Sequence, residues 1–340
     1  MISTAFALLL TEVIVRTVAY GSDHGGFATV HLVERAMARA SAAQRPKLPD
    51  AMLRKRALSA LHQPQGEELL KHFQRRYEKS FAYLLEAVRA DGARLLVCYI
   101  PGPPEWQWPS DANRSFLSGL CRRQGVPLID TTDALRRHPN ATVYLLPEDM
   151  HLSRFGNQIV AATLAPELEA LAAHRGNPGG ARAETDAPRR LGDLEPGTDR
   201  IDGDGWRAYS YRINRQGLRM PGDVRFPKGD AQHVLLLGDS FTFGVYLPQE
   251  HTYAAFLRRR LEGRVVINAG RCGSTIEDET ALYIERARHS EPDIVVLQFF
   301  DNDLIDFFHY MRNQSARDRK TKTCSPTPME QAFLASVGIK

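Results

Sequence analysis

The chain has 340 residues, 43% of them hydrophobic and 25% charged, which is ordinary for a globular protein with a sizeable core. The formal net charge is only +4 and the basic residues are spread over many segments, which argues against a nucleic-acid-binding face. Cys98, Cys121, Cys272 and Cys324 form no C-x-x-C pair and show no zinc-ligand spacing with a histidine, so neither a metal site nor a cofactor is expected.

Residues 4–20 are mostly apolar, but Glu12 and Arg16 interrupt them. A spanning helix needs about 20 apolar residues. A signal peptide carries basic residues before its apolar stretch, and none stands there. Two readings stay open: an amphipathic helix packed on the body, or a membrane contact that would make the protein membrane-associated or exported. Residues 27–42 and 49–61 carry apolar positions at helical spacing, so 1–65 reads as a helical N-terminal region, a lid or an anchor. Residues 67–90 form a long helical pattern that Gly92 ends. The run RLLVCYI at 94–100 reads as a buried strand with Cys98 as a buried thiol. A helix at 112–124, a strand at 126–130 and a helix reaching about Ala173 follow.

Residues 174–204 are rich in Gly, Pro, Arg and acidic residues without apolar periodicity, and read as a linker. The alternation then resumes, with strands at 233–237, 264–268 and 293–299 and helices at 252–261 and 276–290. Residues 313–340 read as a polar tail with a short helix that Pro328 starts. Two helix–strand halves, 66–173 and 205–312, thus flank the linker, and such alternation predicts a parallel α/β sheet.

The strand at 233–237 runs directly into Gly238-Asp239-Ser240-Phe241-Thr242-Phe243-Gly244. In open α/β sheets ligands bind beyond the carboxyl ends of strands, where a serine can serve as a nucleophile. On spacing alone a Gly-Asp-Ser turn after a strand is more often just a turn with a helix cap. The chain has no G-x-S-x-G elbow, Walker A loop, H-E-x-x-H or G-x-G-x-x-G.

Four segments taken together are more specific. GDSFTFG resembles the first block of the SGNH (GDSL-like) hydrolases. Asn268-Ala269-Gly270 resembles their second block, Asp301-Asn302-Asp303 their third, and Glu148-Asp149-Met150-His151-Leu152-Ser153 the block with the acid and the histidine. The stretch Tyr211-Arg212-Ile213-Asn214-Arg215, with Gly217-Leu218-Arg219, also resembles the approach to this domain in relatives. One departure stands out: Phe300-Asp301 occupies the place of a glycine and a variable residue in the third block.

The resemblance implies Ser240 as nucleophile, His151 as base and Asp149 as the acid behind it. Glu148 is the alternative acid under a D-x-x-H register. It also implies an oxyanion hole from the N–H of Ser240, the N–H of Gly270 and the side-chain amide of Asn302. The chemistry suits these residue types: a hydroxyl needs a base to become a nucleophile, and imidazole is the side chain that titrates near neutrality. Bland readings stand beside each role. Asn302 can cap a helix, Gly270 can serve a turn, and Asp303 and Asp306 read as local caps or solvated charges. Trp106 and Trp108, in a loop at the carboxyl end of a strand, are candidates for substrate binding, with loop packing as the alternative.

In SGNH hydrolases the serine block comes first, whereas here Asp149 and His151 precede Ser240. The strands explain the inversion: three around the serine and two around the histidine make one complete set. The resemblance therefore implies a flavodoxin-like three-layer α/β sandwich with a five-stranded parallel sheet, circularly permuted. The expected strand order places 264–268 at one edge, then 233–237, 293–299 and 94–100, with 126–130 at the other edge. The expected activity is hydrolysis of a small acyl ester, an acetyl on a carbohydrate among the candidates. The alternatives are acyl transfer to a glycan, or an inactive scaffold from a truncated tandem protein.

Overall fold

The computed structural model describes residues 66–106, 108–147, 149–173, 190–202 and 208–304. The expected helices within 1–65, the apolar stretch 4–20, the tail 313–340, Glu148 and Asp306 lie outside the described residues. No described helix is long and apolar enough to cross a membrane.

Among the described residues the helices are, in chain order, α1 (Gly66–Ala90), α2 (Ser110–Gln124), α3 (Thr132–Arg136), α4 (Asn140–Val143), α5 (Arg154–Ala173), α6 (Ser240–Phe243), α7 (Tyr253–Arg260) and α8 (Ile276–Glu285). The strands are β1 (Arg94–Ile100), β2 (Leu128–Asp130), β3 (Thr198–Asp202), β4 (Tyr209–Ile213), β5 (Gln232–Leu237), β6 (Arg264–Asn268) and β7 (Ile294–Phe300). Five strands form one parallel sheet in the order β2-β1-β7-β5-β6, as the permuted arrangement requires. Strand β7 pairs with β1 over its full length, Arg94 opposite Ile294 through Ile100 opposite Phe300, although the two lie at opposite ends of the described chain. The central strands are buried on both faces, which is why they read as continuous apolar runs rather than alternating ones.

Helices from both halves cover this sheet in mixed pairs: α1 packs on α8, and α5 packs on α7. Polar contacts reinforce both pairs. Arg76 of α1 bonds Glu277 of α8 at 2.6 Å, and Asn157 Oδ1 of α5 accepts the Tyr253 amide of α7 at 2.9 Å. Neither half could bury its sheet without the other, so the strands form one domain rather than two open fragments.

The stretch 174–204 reads as a linker, yet its described part, 190–202, is ordered. Leu191 is buried, with its amide donating to the Gln216 carbonyl at 2.9 Å, and β3 pairs antiparallel with β4. The reason the sequence hides this strand is its solvation. β3 (TDRID) exposes nearly every residue, while β4 supplies the inward Tyr209, Tyr211 and Ile213. A strand that buries nothing of its own leaves no apolar period to read. This hairpin stays outside the five-stranded sheet.

Candidate active site

Ser240 stands at the carboxyl end of β5, the first residue of the one-turn helix α6. Asp239 caps that turn: its Oδ1 accepts the Phe241 amide at 2.9 Å. Behind the turn, Thr242 Oγ1 donates to Gln298 Oε1 of β7 at 2.9 Å and meets Tyr253 Oη of α7 at 2.8 Å. The serine is therefore presented by a turn fixed to two neighbouring elements.

His151 arrives from the other half of the chain. Its loop is closed by backbone bonds, Leu145 N–H to the His151 carbonyl at 2.9 Å and Ser153 N–H to the Val143 carbonyl at 2.8 Å. Tyr144 Oη ties the loop to the end of β1 by donating to the Pro101 carbonyl at 2.8 Å. His151 Nε2 lies 2.7 Å from Ser240 Oγ, and Nδ1 lies 2.5 Å from Asp149 Oδ1. With a carboxylate as acceptor, Nδ1 carries the proton and Nε2 is left to accept from the serine. The same Asp149 oxygen accepts the His151 backbone amide at 2.7 Å, so one atom holds both the ring and its backbone.

Aromatic rings enclose the imidazole. Phe241 lies against it at 4.8 Å between centroids, and Tyr246 meets it edge-on at 6.0 Å. Phe300 stacks on Phe241 at 3.8 Å. Ser240 is 5% exposed and His151 8%, so the pair lies in a largely dry setting. Tyr246 also lines a cavity of about 720 Å³ together with Tyr144, Arg154, Phe155, Gln158 and His251.

The three expected oxyanion donors all lie at the carboxyl edge of the sheet, but they stand differently. Asn302 is fully buried just beyond β7. The Gly270 amide already donates to Asn268 Oδ1 at 3.0 Å, and Asn268 Nδ2 donates in turn to the Thr242 carbonyl at 2.9 Å. Serving an oxyanion would require Gly270 to share that bond. Its lack of a side chain has a clear packing reason: a Cβ would fall 2.4 Å from the Phe243 nitrogen, inside the turn that begins at Ser240.

The two tryptophans stand differently. Trp108 is buried, edge-on to Phe300 at 5.7 Å, and lies over Gly102, where a Cβ would sit 2.1 Å from its ring. Trp106 is half-buried at the end of the short 3-10 turn Pro104–Trp106. Asp303 acts as the expected local cap, Oδ2 accepting the Phe300 amide at 3.1 Å.

The departure at Asp301 has a structural explanation. Its buried carboxylate accepts from Tyr99 Oη at 2.7 Å, the Gly102 amide at 2.8 Å and Asn113 Nδ2 at 3.1 Å, and also from Ser110 Oγ. These donors span β1, the following loop and α2, so Asp301 joins the two halves of the chain directly beside Asn302. Burial and this carboxylate push the Tyr99 phenol well above its usual pKa. Sequence reasoning missed the role because none of the partners lies near Asp301 in the chain.

Glu279 of α8 is another buried group that sequence reasoning missed. Burial holds its carboxyl well above the usual carboxylate range, and the negative charges of Asp239 and Asp278 push the same way. A carboxyl with a pKa raised on folding favours the folded state below its unfolded value of about 4.3, and that contribution is lost as pH rises toward the folded pKa. Glu279→Gln should therefore raise Tm, with a larger gain at pH 8 than at pH 4.5, by roughly 2–4 °C per kcal/mol recovered. Thermal melts at the two pH values check this; an equal shift at both would show that Glu279 does not titrate differently on folding.

The sheet order and the serine just beyond β5, next to the central strand β7, define an SGNH-type α/β fold with its blocks in permuted order. The chain belongs to the family described as SGNH hydrolase-like domain, acetyltransferase AlgX, whose model matches residues 49–301. Among solved structures it is similar to the O-acetyltransferase domain of Pseudomonas putida AlgJ, with 15% identity and a TM-score of 0.48 over 79% of this chain and 91% of that one. It is also similar to Pseudomonas aeruginosa AlgX, with 17% identity and a TM-score of 0.41 over 69% of this chain and 59% of that one. No curated protein sequence matches the chain.

Proposed function

We propose that the protein transfers a small acyl group, an acetyl in the first instance, through an ester on Ser240 to a hydroxyl acceptor, with a carbohydrate hydroxyl as the acceptor class. The observation that carries this reading is the line from Asp149 through His151 to Ser240, with separations of 2.5 and 2.7 Å. His151 Nε2 takes the Ser240 proton as Oγ attacks the acyl carbonyl. Collapse of the tetrahedral intermediate expels the donor alcohol, which recovers that proton from His151. The acceptor hydroxyl then gives its proton to His151, attacks the acyl-serine and leaves as the new ester, restoring Ser240. Asp149 stabilises the imidazolium in both steps.

Water in place of the acceptor gives hydrolysis by the same residues. Two features favour transfer. The family description is that of an acetyltransferase. The burial of Ser240 and His151 among Phe241, Tyr246 and Phe300 also limits bulk water, so a bound hydroxyl can compete for the acyl-enzyme. The deciding experiment uses 4-nitrophenyl acetate as donor, with and without oligosaccharide acceptors, and measures acetylated glycan against free acetate. Acetate as the sole product, at a rate indifferent to every acceptor, would return the reading to an esterase. Failure of an activated-serine probe to label the folded protein would favour the inactive scaffold.

Within this proposal the oxyanion is held by the Ser240 amide and the Asn302 side chain, with the Gly270 amide contributing if it is shared with Asn268. Asn302→Ala should lower kcat by about 10²–10³, the usual cost of one such donor, with KM little changed. Steady-state kinetics on the aryl ester check this, and an unchanged kcat would remove Asn302 from the hole.

A further inference from the structure

The motif from Asn214 to Arg219 takes no part in the chemistry above, yet its side chains are bonded at nearly every polar position. Asn214 Oδ1 accepts the amides of Gln216 and Leu218 at 3.1 and 2.9 Å. The Gln216 side chain pairs with Val224 in both directions, donating to its carbonyl at 2.8 Å and accepting its amide at 2.7 Å. This turn delivers Arg219, one of the largest fully buried side chains, to the carboxyl end of the nucleophile helix. There Nη1 donates to the carbonyls of Phe243 and Gly244, both at 2.7 Å, and Nη2 to the Leu247 carbonyl at 2.5 Å. The guanidinium also lies over the rings of Phe243 at 4.6 Å and Tyr211 at 4.8 Å. Burial pulls its pKa down to about 10, which leaves it cationic at neutral pH.

The carbonyls it grips bracket two unusual backbone positions. Gly244 has φ 85°, and its amide closes onto the Ser240 carbonyl at 2.9 Å. Tyr246 has φ 61°, the left-handed region that bulky residues avoid unless the surroundings impose it. In that conformation the Tyr246 ring meets both His151 and Tyr209 at 6.0 Å.

We propose that Arg219 is a positioning residue for acyl transfer: by gripping the carbonyls of Phe243, Gly244 and Leu247 it fixes the turn that begins at Ser240 and holds Tyr246 against His151. Serine and histidine are thus set relative to each other from behind the site, by a residue that touches neither. A lysine keeps the charge but is a point donor, and it cannot span three carbonyls as the planar guanidinium does. The inference rests on Ser240 and His151 being nucleophile and base.

The test is Arg219→Lys in the full chain, with kcat and KM on the aryl ester and hydrogen exchange of residues 243–247 measured together. The expected result is a kcat lower by about 10², the usual cost of a small misplacement, with KM little changed and faster exchange in that segment. The penalty should shrink in a Tyr246→Ala background, because the two residues act along one route. A folded Arg219→Lys protein with wild-type kcat, or with a lowered Tm as its single defect, overturns the proposal. So does strict additivity with Tyr246→Ala. If Arg219→Lys does not fold, Tyr246→Gly takes its place. Glycine accepts the left-handed backbone without strain and removes only the ring. A lowered kcat in that variant supports the route through His151, and wild-type kcat overturns it. Ser240→Ala run in parallel separates the two readings: if it stays active the nucleophile assignment fails, whereas the exchange data still report the clamp.

Discussion

Ser240→Ala is expected to abolish acetyl transfer and aryl-ester cleavage while leaving the fold intact. Losing the nucleophile of a serine–histidine–aspartate unit costs about 10⁶ in kcat. The side chain makes little structural contribution: its Oγ meets His151 Nε2 at 2.7 Å and Asp239 Oδ2 at 3.4 Å, neither of which holds an element in place. The cap of the turn comes from Asp239 and its anchoring from Thr242, and both remain. The variant should therefore melt near the wild-type temperature and fail to react with an activated-serine probe. Undiminished turnover of the purified variant would remove Ser240 as nucleophile and the proposed function with it.

Asp149→Asn should produce the second largest loss, up to about 10⁴ in kcat. Asp149 Oδ1 accepts both the ring N–H and the backbone N–H of His151. An asparagine that keeps its oxygen toward these donors preserves the tautomer but loses the charge that stabilises the imidazolium. An asparagine that turns its amide inward loses both. Glu148→Gln, by contrast, should leave turnover close to wild type. Comparing kcat for the two variants decides between the acids, and the reverse ranking would assign the role to Glu148.

The candidate site draws on both halves of the chain. Ser240 and Asn302 come from the second half, and His151 and Asp149 from the first. Their meeting depends on β7 pairing with β1 and on Asp301 bonding Tyr99, Gly102 and Asn113 across that seam. Both contacts lie immediately behind Asn302, so the joint between the halves and the candidate site share one edge of the sheet.

Much of this was determined by the sequence itself. Apolar runs such as RLLVCYI and HVLLL are local signals, and each became a buried strand of the sheet. The short blocks around Ser240, Gly270 and Asn302 place those residues beyond strand ends, and their position after the His151 block, with the strand count, pointed to a permuted sheet over a truncated tandem protein. Tertiary structure decided the rest. The exposed strand β3 gained its order from the apolar face of its partner β4. Trp108, for which substrate binding and loop packing both stood open, packs into the core over Gly102, whose missing side chain leaves room for its ring. Arg219, Asp301 and Glu279 are charged types that composition assigns to the surface, yet all three are buried. Whether a polar group can be buried depends on what meets it there. For Arg219 those are the carbonyls of the turn that begins at Ser240, for Asp301 the hydroxyls and amides of the other half, and for Glu279 burial itself, which raises its pKa and so disfavours the charged form. Such partners come together only when the chain has folded, so no local pattern records them.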